Sequence, residues 1–459
     1  MDDYGLTSKK IVEHFIPRFS AMLHDRYPLP EEWTVKLACT TLASVIPRNA
    51  RLKTKYGFNR CNIWNVVVTE SGFFKSAPFD NVIKLILNYV DEKTDQYHIL
   101  PSTASSIEGI IDRAIDEEVK LEGLMFQDEL TAWLKEAGEG KKYSPTFEYY
   151  SRMWDGWLDP RETRTVKVRR PIPVYVCLIG ATTPKYLFKD PKIFIDSFFQ
   201  GVGNRIDYTI YTANLPEDCR SDDLFPRERW SEEDKLDREL KEFANALLEY
   251  MKCKYPIYLD EDAKRISAEF LNKTNELINK IGPASRFSFK RSYYVRDWQK
   301  SLKYAQIHAI SRGLKKWLHA KQVIVESEDI EFGIKVILRN RKNFEQLVEK
   351  WIASVPEKEE VAQTDIRIVL RYLNIIKEYK LISSQKLAYE VGAASRDNRF
   401  YNIIKFLLES GCISQISGQR AREEVMLRGP KWCEKMLIKL PVRRAPILYR
   451  YEKDLERRS

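Results

Sequence analysis

Hydrophobic and polar positions change their spacing several times along this chain, and each change predicts a different kind of element. Over residues 6–50, apolar side chains such as Phe15 and Leu23 recur at helical spacing, and a second apolar run ends at Ile46. A period near 3.6 residues indicates helices that bury one face. We therefore predict a helical N-terminal region over residues 1–55.

Short apolar runs interrupt the helical stretches between residues 62 and 210. They show little alternation of polar and apolar positions, which is typical of strands buried on both faces of a parallel sheet. The predicted strands are residues 63–68, 123–127, 174–179 and 207–211. This pattern places an α/β core at residues 56–212.

Two polar segments divide the rest of the chain. Residues 213–231 and 355–360 are rich in charged residues and proline, as linkers are. Helical periodicity between them predicts a helical domain over residues 213–354. Residues 361–429 follow the order helix, helix, helix, strand, turn, strand, which is the pattern of a winged helix-turn-helix. Residues 430–459 are predicted to form a basic C-terminal tail.

Composition narrows the classes of function. The chain has 459 residues with 76 Lys and Arg against 66 Asp and Glu, and this formal net charge of +10 favours a polyanionic partner. Its seven cysteines form no C-x-x-C pair and indicate buried thiols in a reducing compartment. No apolar run approaches the length of a membrane span, about 18 residues. We expect a cytoplasmic protein, in a prokaryote or a virus-infected cell, with no membrane partner.

One stretch between the first predicted strand and a helix has several features of a phosphate-binding loop. It consists of Thr69, Glu70, Ser71, Gly72, Phe73, Phe74, Lys75 and Ser76. Such a loop directs backbone N–H groups at the anion, neutralises it with a lysine and holds Mg²⁺ with a hydroxyl. Lys75 and Ser76 are those two side chains, and Gly72 lets the backbone approach the phosphates. Thr69 and Phe74 stand where the general template G-x-x-x-x-G-K-[ST] has glycines, so an ordinary strand–turn–helix is the alternative.

Three further polar stretches follow in an order that suits an ATPase. LMFQDE ends in Asp128, which would hold Mg²⁺, and Glu129, which would orient the attacking water. VYVCLIGATTP ends in Thr182 and Thr183, at the edge of the sheet where open α/β sheets place ligands. NRID puts Arg205 before the last predicted strand, where an arginine can project into a neighbouring subunit's site. Solvated acids and a surface arginine are the alternatives for each stretch taken alone.

Together these motifs resemble those of AAA+ ATPases, specifically the branch of the minichromosome maintenance (MCM) helicases and their relatives among phage, plasmid and viral replication proteins. The family's loop, G-D-P-G-x-A-K-S, also lacks a glycine before its lysine, so Phe74 is compatible with it. Thr69, in place of the first glycine, departs from the family's pattern. The resemblance spans residues 60–340 and is carried by the order of the motifs.

The resemblance assigns roles to several residues. GATTP is similar to the family's A-A-x-N-P, which makes Thr183 the sensor-1 residue, and NRID is similar to the S-R-F-D of the trans-acting arginine finger, which matches Arg205. YVRDWQKSLKYAQIHA resembles the lid signature whose leading arginine, sensor 2, would be Arg296. The family's fold would then be an AAA+ parallel-sheet P-loop core with a helical lid. Its cofactors would be ATP and Mg²⁺, and its active sites would lie between the subunits of a homo-oligomeric ring, a hexamer.

Two basic segments are candidates for DNA contact. The first lies where MCM-like ATPases have the pre-sensor-1 hairpin, which implies contact with single-stranded or forked DNA in a central channel. The second comprises the start of the third helix and the wing tip of the winged helix, which would contact duplex DNA. The residues are Arg164, Lys167, Arg169 and Arg170 in the first segment, and Arg396, Asn398, Arg399 and Arg420 in the second. An ordinary solvated hairpin and a winged helix that binds proteins are the alternatives.

These expectations combine into one function with two alternatives. We expect an ATP-dependent, ring-forming DNA motor, a replicative DNA helicase of a mobile element or virus. One alternative is an AAA+ loader or transposition regulator that hydrolyses ATP and binds DNA without unwinding it. The other is a non-catalytic winged-helix DNA-binding protein with a decayed ATPase core.

Overall fold

The computed structural model describes most of the chain. The described residues are 13–100, 121–138, 146–158, 161–162, 167–168, 172–188, 194, 197–198, 201–211, 232–281, 288–354, 366–391, 398–409, 413–438 and 446–451. They group into two compact units, Met1–Asn275 with Ser292–Ala353 and Glu276–Arg291 with Ser354–Ser459. The two predicted linkers, residues 213–231 and 355–360, lie outside the described residues.

The chain up to Ser354 mixes helices and strands. Its strands are β1 (Arg51–Thr54), β2 (Gly57–Arg60), β3 (Trp64–Val68), β4 (Ile99–Leu100), β5 (Leu121–Gln127), β6 (Trp157–Leu158), β7 (Arg161–Glu162), β8 (Lys167–Val168), β9 (Ile172–Thr182), β10 (Ile206–Ile210), β11 (Ile257–Leu259) and β12 (Val323–Val325). Its helices are α1 (Phe15–Arg26), α2 (Glu31–Val45), α3 (Lys84–Thr94), α4 (Leu130–Gly138), α5 (Thr146–Asp155), α6 (Pro184–Leu187), α7 (Glu232–Tyr250), α8 (Glu261–Lys280), α9 (Ser288–Tyr294), α10 (Asp297–Ala320) and α11 (Ser327–Ser354).

A parallel sheet with the strand order β10-β3-β9-β5-β4 lies at the centre of the first unit, and β6 adds an antiparallel partner to β9. Every residue of β3 is buried, and so are residues 174–182 of β9. Burial on both faces explains the continuous apolar runs of the sequence. The predicted strands and their parallel arrangement are thus confirmed. The pattern missed β4, because two residues are too short to show a period.

The N-terminal helices α1 and α2 share one hydrophobic core with the parallel sheet and with α7 and α10. The prediction of a helical region over residues 1–55 is wrong at its end, since helix α2 stops at Val45 and β1 begins at Arg51. Strands β1 and β2 form a hairpin that continues into a second sheet of order β12-β11-β1-β2. Strands β11 and β12 interrupt the predicted all-helical segment, because strands of three residues leave no visible alternation.

The second unit has its own apolar core and a small antiparallel sheet. Its main elements are α12 (Ile366–Tyr379), β13 (Leu381–Ser383), α13 (Ser384–Val391), α14 (Asn398–Glu409), β14 (Ile413–Ile416), α15 (Gly418–Lys435) and β15 (Leu448–Tyr451). The sheet order is β13-β15-β14, with antiparallel pairs throughout. The three predicted helices and the first of the two strands predicted after them are present.

The predicted second wing strand and the predicted C-terminal tail are both wrong. The residues after β14 form helix α15, because Ala421, Val425 and Cys433 recur at helical spacing and are buried together. The third strand is β15, which lies inside the predicted tail of residues 430–459 and pairs with both other strands. Arg420 therefore lies in the first turn of a helix and not at a wing tip.

Two further findings concern the whole described chain. No described helix is both long and apolar enough to cross a membrane. The cysteines at positions 39, 61, 177, 253 and 433 are buried free thiols, as the sequence predicts. Cys219 and Cys412 lie outside the described residues.

Candidate functional site

The parallel strands end together at one edge of the central sheet. Val68 pairs with Ile210 on one side and with Thr182 on the other. The next strand, β5, ends at Gln127, whose partner on β9 is Gly180. Because the strands are parallel, the segments that follow them all emerge at this carboxyl edge. The loop of residues 69–76, the acidic pair after β5 and the threonines at the end of β9 therefore meet.

The connections of the strands reverse direction at this edge. From β3 the chain crosses to β4 at one margin of the sheet, and from the adjacent β9 it crosses to β10 at the other margin. Such a reversal leaves a crevice outside the carboxyl ends of the two strands, which is where open α/β sheets bind ligands. The candidate loop lies directly after β3, at that crevice.

Lys75, Glu129 and Thr182 form the polar centre of the site. The Thr182 hydroxyl donates to Glu129 Oε1 at 2.7 Å, and Lys75 Nζ lies 3.9 Å from Glu129 Oε2. Thr182 is fully buried, and its hydroxyl also lies 2.9 Å from that of Thr131 on α4. Lys75 and Glu129 both remain partly exposed. One carboxylate oxygen is thus fixed by the sheet, while the other faces a loosely paired lysine.

The backbone of the loop has the conformation of a glycine-containing turn. Thr69 N–H donates to the Thr182 carbonyl at 3.1 Å, which extends the ladder between β3 and β9 past the last strand residue. Gly72 has φ 93° and Phe74 has φ 49°. The left-handed region costs a residue with a side chain about 1–2 kcal/mol. Phe74 thus stands at the template's second glycine position and has a backbone conformation that favours glycine. The family's loop has no glycine at this position, so the sequence did not predict this conformation.

Two tyrosines that sequence reasoning missed hold the loop from either side. The Tyr211 hydroxyl donates to the Phe73 carbonyl at 2.8 Å, and the Tyr27 ring lies 6.0 Å from the Phe74 ring. Burial raises the pKa of both tyrosines, so each keeps its proton as a donor. Tyr211 directly follows β10, and this position after a strand was the feature of the sequence that could have predicted its contact with the loop. Nothing in the sequence connects Tyr27 to the loop.

A helical turn starts where the loop ends. The Ser76 carbonyl accepts from the N–H groups of Phe79 and Asp80, both at 3.0 Å, and a π-helical turn, Phe79–Ile83, leads into α3. The Phe79 ring stacks on Phe126 of β5 at 3.9 Å between centroids. The start of this helix is therefore fixed to the strand that carries the acidic pair, and its N-terminus lies beside the loop.

The loop meets the requirements of a bound phosphate group. Among the described residues, none accepts a hydrogen bond from the backbone N–H of Phe74, Lys75 or Ser76. Positive φ angles, here at Gly72 and Phe74, are what turns successive N–H groups into an anion-binding concavity. A neighbouring lysine and a helix N-terminus add positive charge at the same place. ATP and Mg²⁺ therefore fit the residues present.

Thr183 and Asp128 differ from their neighbours in what they contact. The Thr183 side chain caps α6 by accepting from the N–H of Tyr186 at 3.3 Å. The contact with the acidic pair is made by Thr182, which the sequence offered as an alternative at this edge. Asp128 is exposed at the end of β5. It has the freedom that a carboxylate needs to reach a bound cation.

Arg205 and Arg296 lie at the opposite, amino edge of the sheet. Arg205 precedes β10, which spans five residues, or about 16 Å. It is buried, and its Nη2 donates to Asp155 Oδ2 at 2.7 Å. Burial lowers the pKa of Arg205, and Asp155 opposes this shift. Arg296 is partly exposed and donates to Gln299 at 2.7 Å. Both guanidinium groups lie against the Trp154 ring, so the structure brings them to each other and not to Lys75.

The DNA-contact candidates are placed only in part. Lys167 lies on β8, which pairs with β7 as an antiparallel hairpin. Asn398 and Arg399 begin α14, and Arg420 is exposed on α15. Arg164, Arg169, Arg170 and Arg396 lie outside the described residues.

Comparison with known proteins assigns no family or function to this site, and the described residues contain no cluster of metal ligands. No protein-family model matches the chain, and no curated protein matches it either. Within the described ranges, no group of three or more His, Cys, Asp or Glu side chains is arranged to hold a metal ion. A Mg²⁺ ion held by Ser76, Asp128, phosphates and water needs no such group, since this cation keeps several waters in nucleotide sites.

Proposed function

We propose that this protein is a P-loop ATPase whose active site lies at the carboxyl edge of the central sheet. The observation that carries the proposal is the convergence of Lys75, Glu129 and Thr182 beside a loop with positive φ angles, whose N–H groups at residues 74–76 have no acceptor among the described residues. These groups come from three segments far apart in the chain. Their meeting at a topological switch point is what an ATP site on this kind of sheet requires.

Each residue of the site would have a distinct task. The N–H groups of the loop and Lys75 would bind the β- and γ-phosphates, and Ser76 and Asp128 would hold Mg²⁺. Bound Mg²⁺ would offset the negative charge that develops on the phosphates. Glu129, held at one oxygen by Thr182, would orient the attacking water and accept its proton. Binding of ATP would draw Lys75 away from Glu129.

We further propose that the ATPase is an AAA+ ring motor acting on DNA, a replicative helicase. Three observations support a DNA partner: the net charge of +10, the basic β7–β8 hairpin and the second unit. The second unit has the order helix, strand, helix, helix, strand, helix, strand around one antiparallel sheet. Apart from α15, which lies between the last two strands, this is the order of a winged helix-turn-helix and supports that assignment.

Arg296 and Arg205 differ in how freely each side chain could reach a nucleotide bound to a neighbouring subunit. Arg296 is partly exposed and donates only to a nearby glutamine among the contacts described for it. Arg205 would have to leave the Asp155 carboxylate and a buried position. We therefore propose Arg296 as the arginine that completes a site across a subunit interface, and a structural task for Arg205.

ATP hydrolysis by the full-length protein, with and without DNA, tests the proposal. We expect Lys75→Ala to lower turnover by about 100-fold, since removing one fixed group that stabilises transition-state charge costs about that much. Lys84→Ala is the matched control, because Lys84 is an exposed lysine on the helix that follows the loop. Glu129→Gln should keep nucleotide binding and lose hydrolysis.

Two results decide between the proposal and its alternatives. If Lys75→Ala and Lys84→Ala bind a fluorescent ATP analogue as wild type does, the loop is not an ATP site. If ATP is hydrolysed but a forked DNA substrate is never unwound, the protein is a loader or regulator and not a helicase. Hydrolysis that is unchanged by extreme dilution would contradict a site built between subunits.

A further inference from the structure

The outer face of the β12-β11-β1-β2 sheet carries exposed aromatic rings among basic side chains. Leu52, Asn59 and Ile257 point into the protein and are buried. Because side chains alternate along a strand, their neighbours Lys53, Phe58 and Tyr258 point outwards. Lys53 pairs directly with Phe58, and Tyr258 follows the residue that pairs with Leu52. These three side chains therefore form one row across the sheet, which we call the outer row.

The aromatic members of this face are unusually open to solvent. Tyr258 is 50% exposed and Phe58 is 49% exposed. Trp157, on β6, is 40% exposed and lies next to the same hairpin through Arg60, whose guanidinium is 5.5 Å from the Trp157 ring. Large aromatic side chains on a protein surface mark interaction sites when they occur together.

Arginines connect the outer row to Trp157. The Arg51 guanidinium lies 3.9 Å from the Phe58 ring centroid, and that of Arg48 lies 5.3 Å from the Trp157 ring. Arg60 pairs with Arg51 across the hairpin. Rings and cations thus alternate from Tyr258 through Lys53, Phe58 and the arginines to Trp157.

Among the described residues, acidic groups balance only part of the positive charge of this face. Glu122 is close enough to act on Arg48, and the Asp155 carbonyl accepts from Arg60 Nη1 at 3.0 Å. Arg60 is 3% exposed, and its Nε and Nη2 have no hydrogen-bond partner among the residues that the structure describes. Burial, with repulsion from Arg48 and Arg51, lowers the pKa of Arg60. An anion nearby would relieve this repulsion.

We propose that this face binds single-stranded nucleic acid, with bases stacked on Phe58, Tyr258 and Trp157 and phosphates held by Lys53, Arg51 and Arg48. Open aromatic faces beside a basic track are the two components of sequence-tolerant single-strand binding. Duplex DNA has its bases already stacked, so it would leave the rings unused. An acidic protein surface would satisfy the cations and likewise leave the exposed area of the rings unused.

The proposal is independent of the ATP site. The outer row stands on β1, β2 and β11, and none of its residues belongs to the phosphate loop. Its test therefore contains no nucleotide. Unchanged ATP binding in Lys75→Ala would refute the proposed function and leave this inference intact.

The experiment measures fluorescence anisotropy of a labelled single-stranded oligodeoxythymidylate with the full-length protein. We expect Tyr258→Ala and Phe58→Ala each to weaken binding about tenfold, within the range for loss of one base–aromatic stack. Tyr97→Ala is the matched control, because Tyr97 is 73% exposed and lies elsewhere, before β4. Lys53→Ala should lower the slope of log affinity against log salt by about 0.7, the value for one phosphate contact on a single strand.

Two kinds of result would contradict single-strand binding by this face. Absence of binding by the wild type, or equal affinity of Tyr258→Ala, Phe58→Ala and Tyr97→Ala, would overturn the proposal. Heparin supplies polyanionic charge without bases as a second probe. If heparin binding falls with Lys53→Glu while neither probe responds to loss of the rings, the face is a general polyanion or acidic-protein surface. Lys53 is exposed, so its variants keep the test decisive even if an aromatic variant fails to fold.

Discussion

The two edges of the central sheet handle charge in opposite ways. At the amino edge, Lys300 and Asp207 form a fully buried ion pair at 2.9 Å, and Tyr304 donates to the same aspartate at 3.1 Å. At the carboxyl edge, Lys75 lies 3.9 Å from Glu129, and both side chains remain partly exposed. The same lysine–carboxylate pair is therefore close and buried at one edge, and more distant and partly exposed at the other.

This difference separates structural charges from charges that are available to a ligand. A buried charge must be paired and hydrogen-bonded in the folded chain itself, because desolvation costs several kcal/mol per ion. A charge that will bind a phosphate must instead give up its protein partner at little cost. Lys75 meets the second condition and Lys300 the first. Arg205, buried against Asp155, resembles Lys300 in this respect.

A matched pair of substitutions, Lys300→Met and Lys75→Met, tests the comparison with the largest expected effect. Lys300→Met leaves Asp207 buried without its cation, so we expect a loss of about 3–5 kcal/mol in the free energy of unfolding. Lys75→Met should change it by less than about 0.5 kcal/mol, as surface substitutions do, while nucleotide binding is lost. Urea denaturation with a nucleotide titration measures both. Equal destabilisation by the two variants would show that Lys75 is a structural lysine.

The pH dependence of stability gives a second test at the amino edge. Lys303 is buried and donates to Asn62 at 2.7 Å, and burial lowers its pKa to about 7. Above that pH the folded protein has released the proton, while the unfolded chain keeps it up to a pKa of about 10.4. Stability contributed by this group therefore rises with pH across that window, by about 2 kcal/mol between pH 7 and 9.

Lys303→Met should remove this contribution, since methionine cannot titrate. The measurement is the free energy of unfolding of wild type and variant at pH 7 and pH 9. We expect the wild type to gain about 2 kcal/mol more than the variant over this interval. A wild-type gain no larger than that of Lys303→Met would mean that Lys303 keeps an ordinary pKa.

At the carboxyl edge, the two adjacent threonines are expected to respond differently. Thr182→Val removes the hydroxyl that donates to Glu129, so we expect ATP turnover to fall about tenfold, the effect of a hydrogen bond to a charged group. Nucleotide affinity should stay within about twofold, because Thr182 contacts the carboxylate and not the loop's donors. Thr183→Val loses the cap of α6, at a cost of about 1 kcal/mol in stability. A fall in turnover confined to Thr183→Val would restore the sensor role that the sequence assigned to it.

The sequence predicted the features of the central sheet that follow from continuously buried strands or from the order of segments along the chain. The apolar runs gave the central strands, and the residues that follow parallel strands had to meet at one edge. Lys75 and Glu129 were found in this way. The choice between Thr182 and Thr183 was beyond the sequence, because it depends on which side chain faces the acidic pair at the last residue of β9.

Other features were missed because they arise from contacts between distant segments. Arg205 has the same local sequence whether it is exposed or paired with Asp155, which is 50 residues away. Strands β11 and β12 are too short to alternate visibly, so Tyr258, the member of the outer row on β11, was hidden inside a helical prediction. Helix α15 was mistaken for a turn and a strand, although Ala421 and Val425 already show its period. Backbone angles, as at Phe74, are not readable from residue type.

Phe74 provides the smallest and most specific test, because it concerns the backbone of the loop alone. Phe74→Gly and Phe74→Ala both remove the ring that contacts Tyr27, so the difference between them reports only on the Cβ atom. At φ 49° alanine is strained and glycine is not. We expect Phe74→Gly to be more stable than Phe74→Ala by about 1 kcal/mol.

Phe73 is the control, because it is not among the described residues that have a positive φ. At Phe73 the order should reverse, and the alanine variant should be the more stable one, because glycine loses more chain entropy on folding. Thermal denaturation of the four variants measures both differences. The same order at both positions would mean that residue 74 does not adopt the left-handed conformation, and the loop would then lack the backbone arrangement on which its anion binding depends.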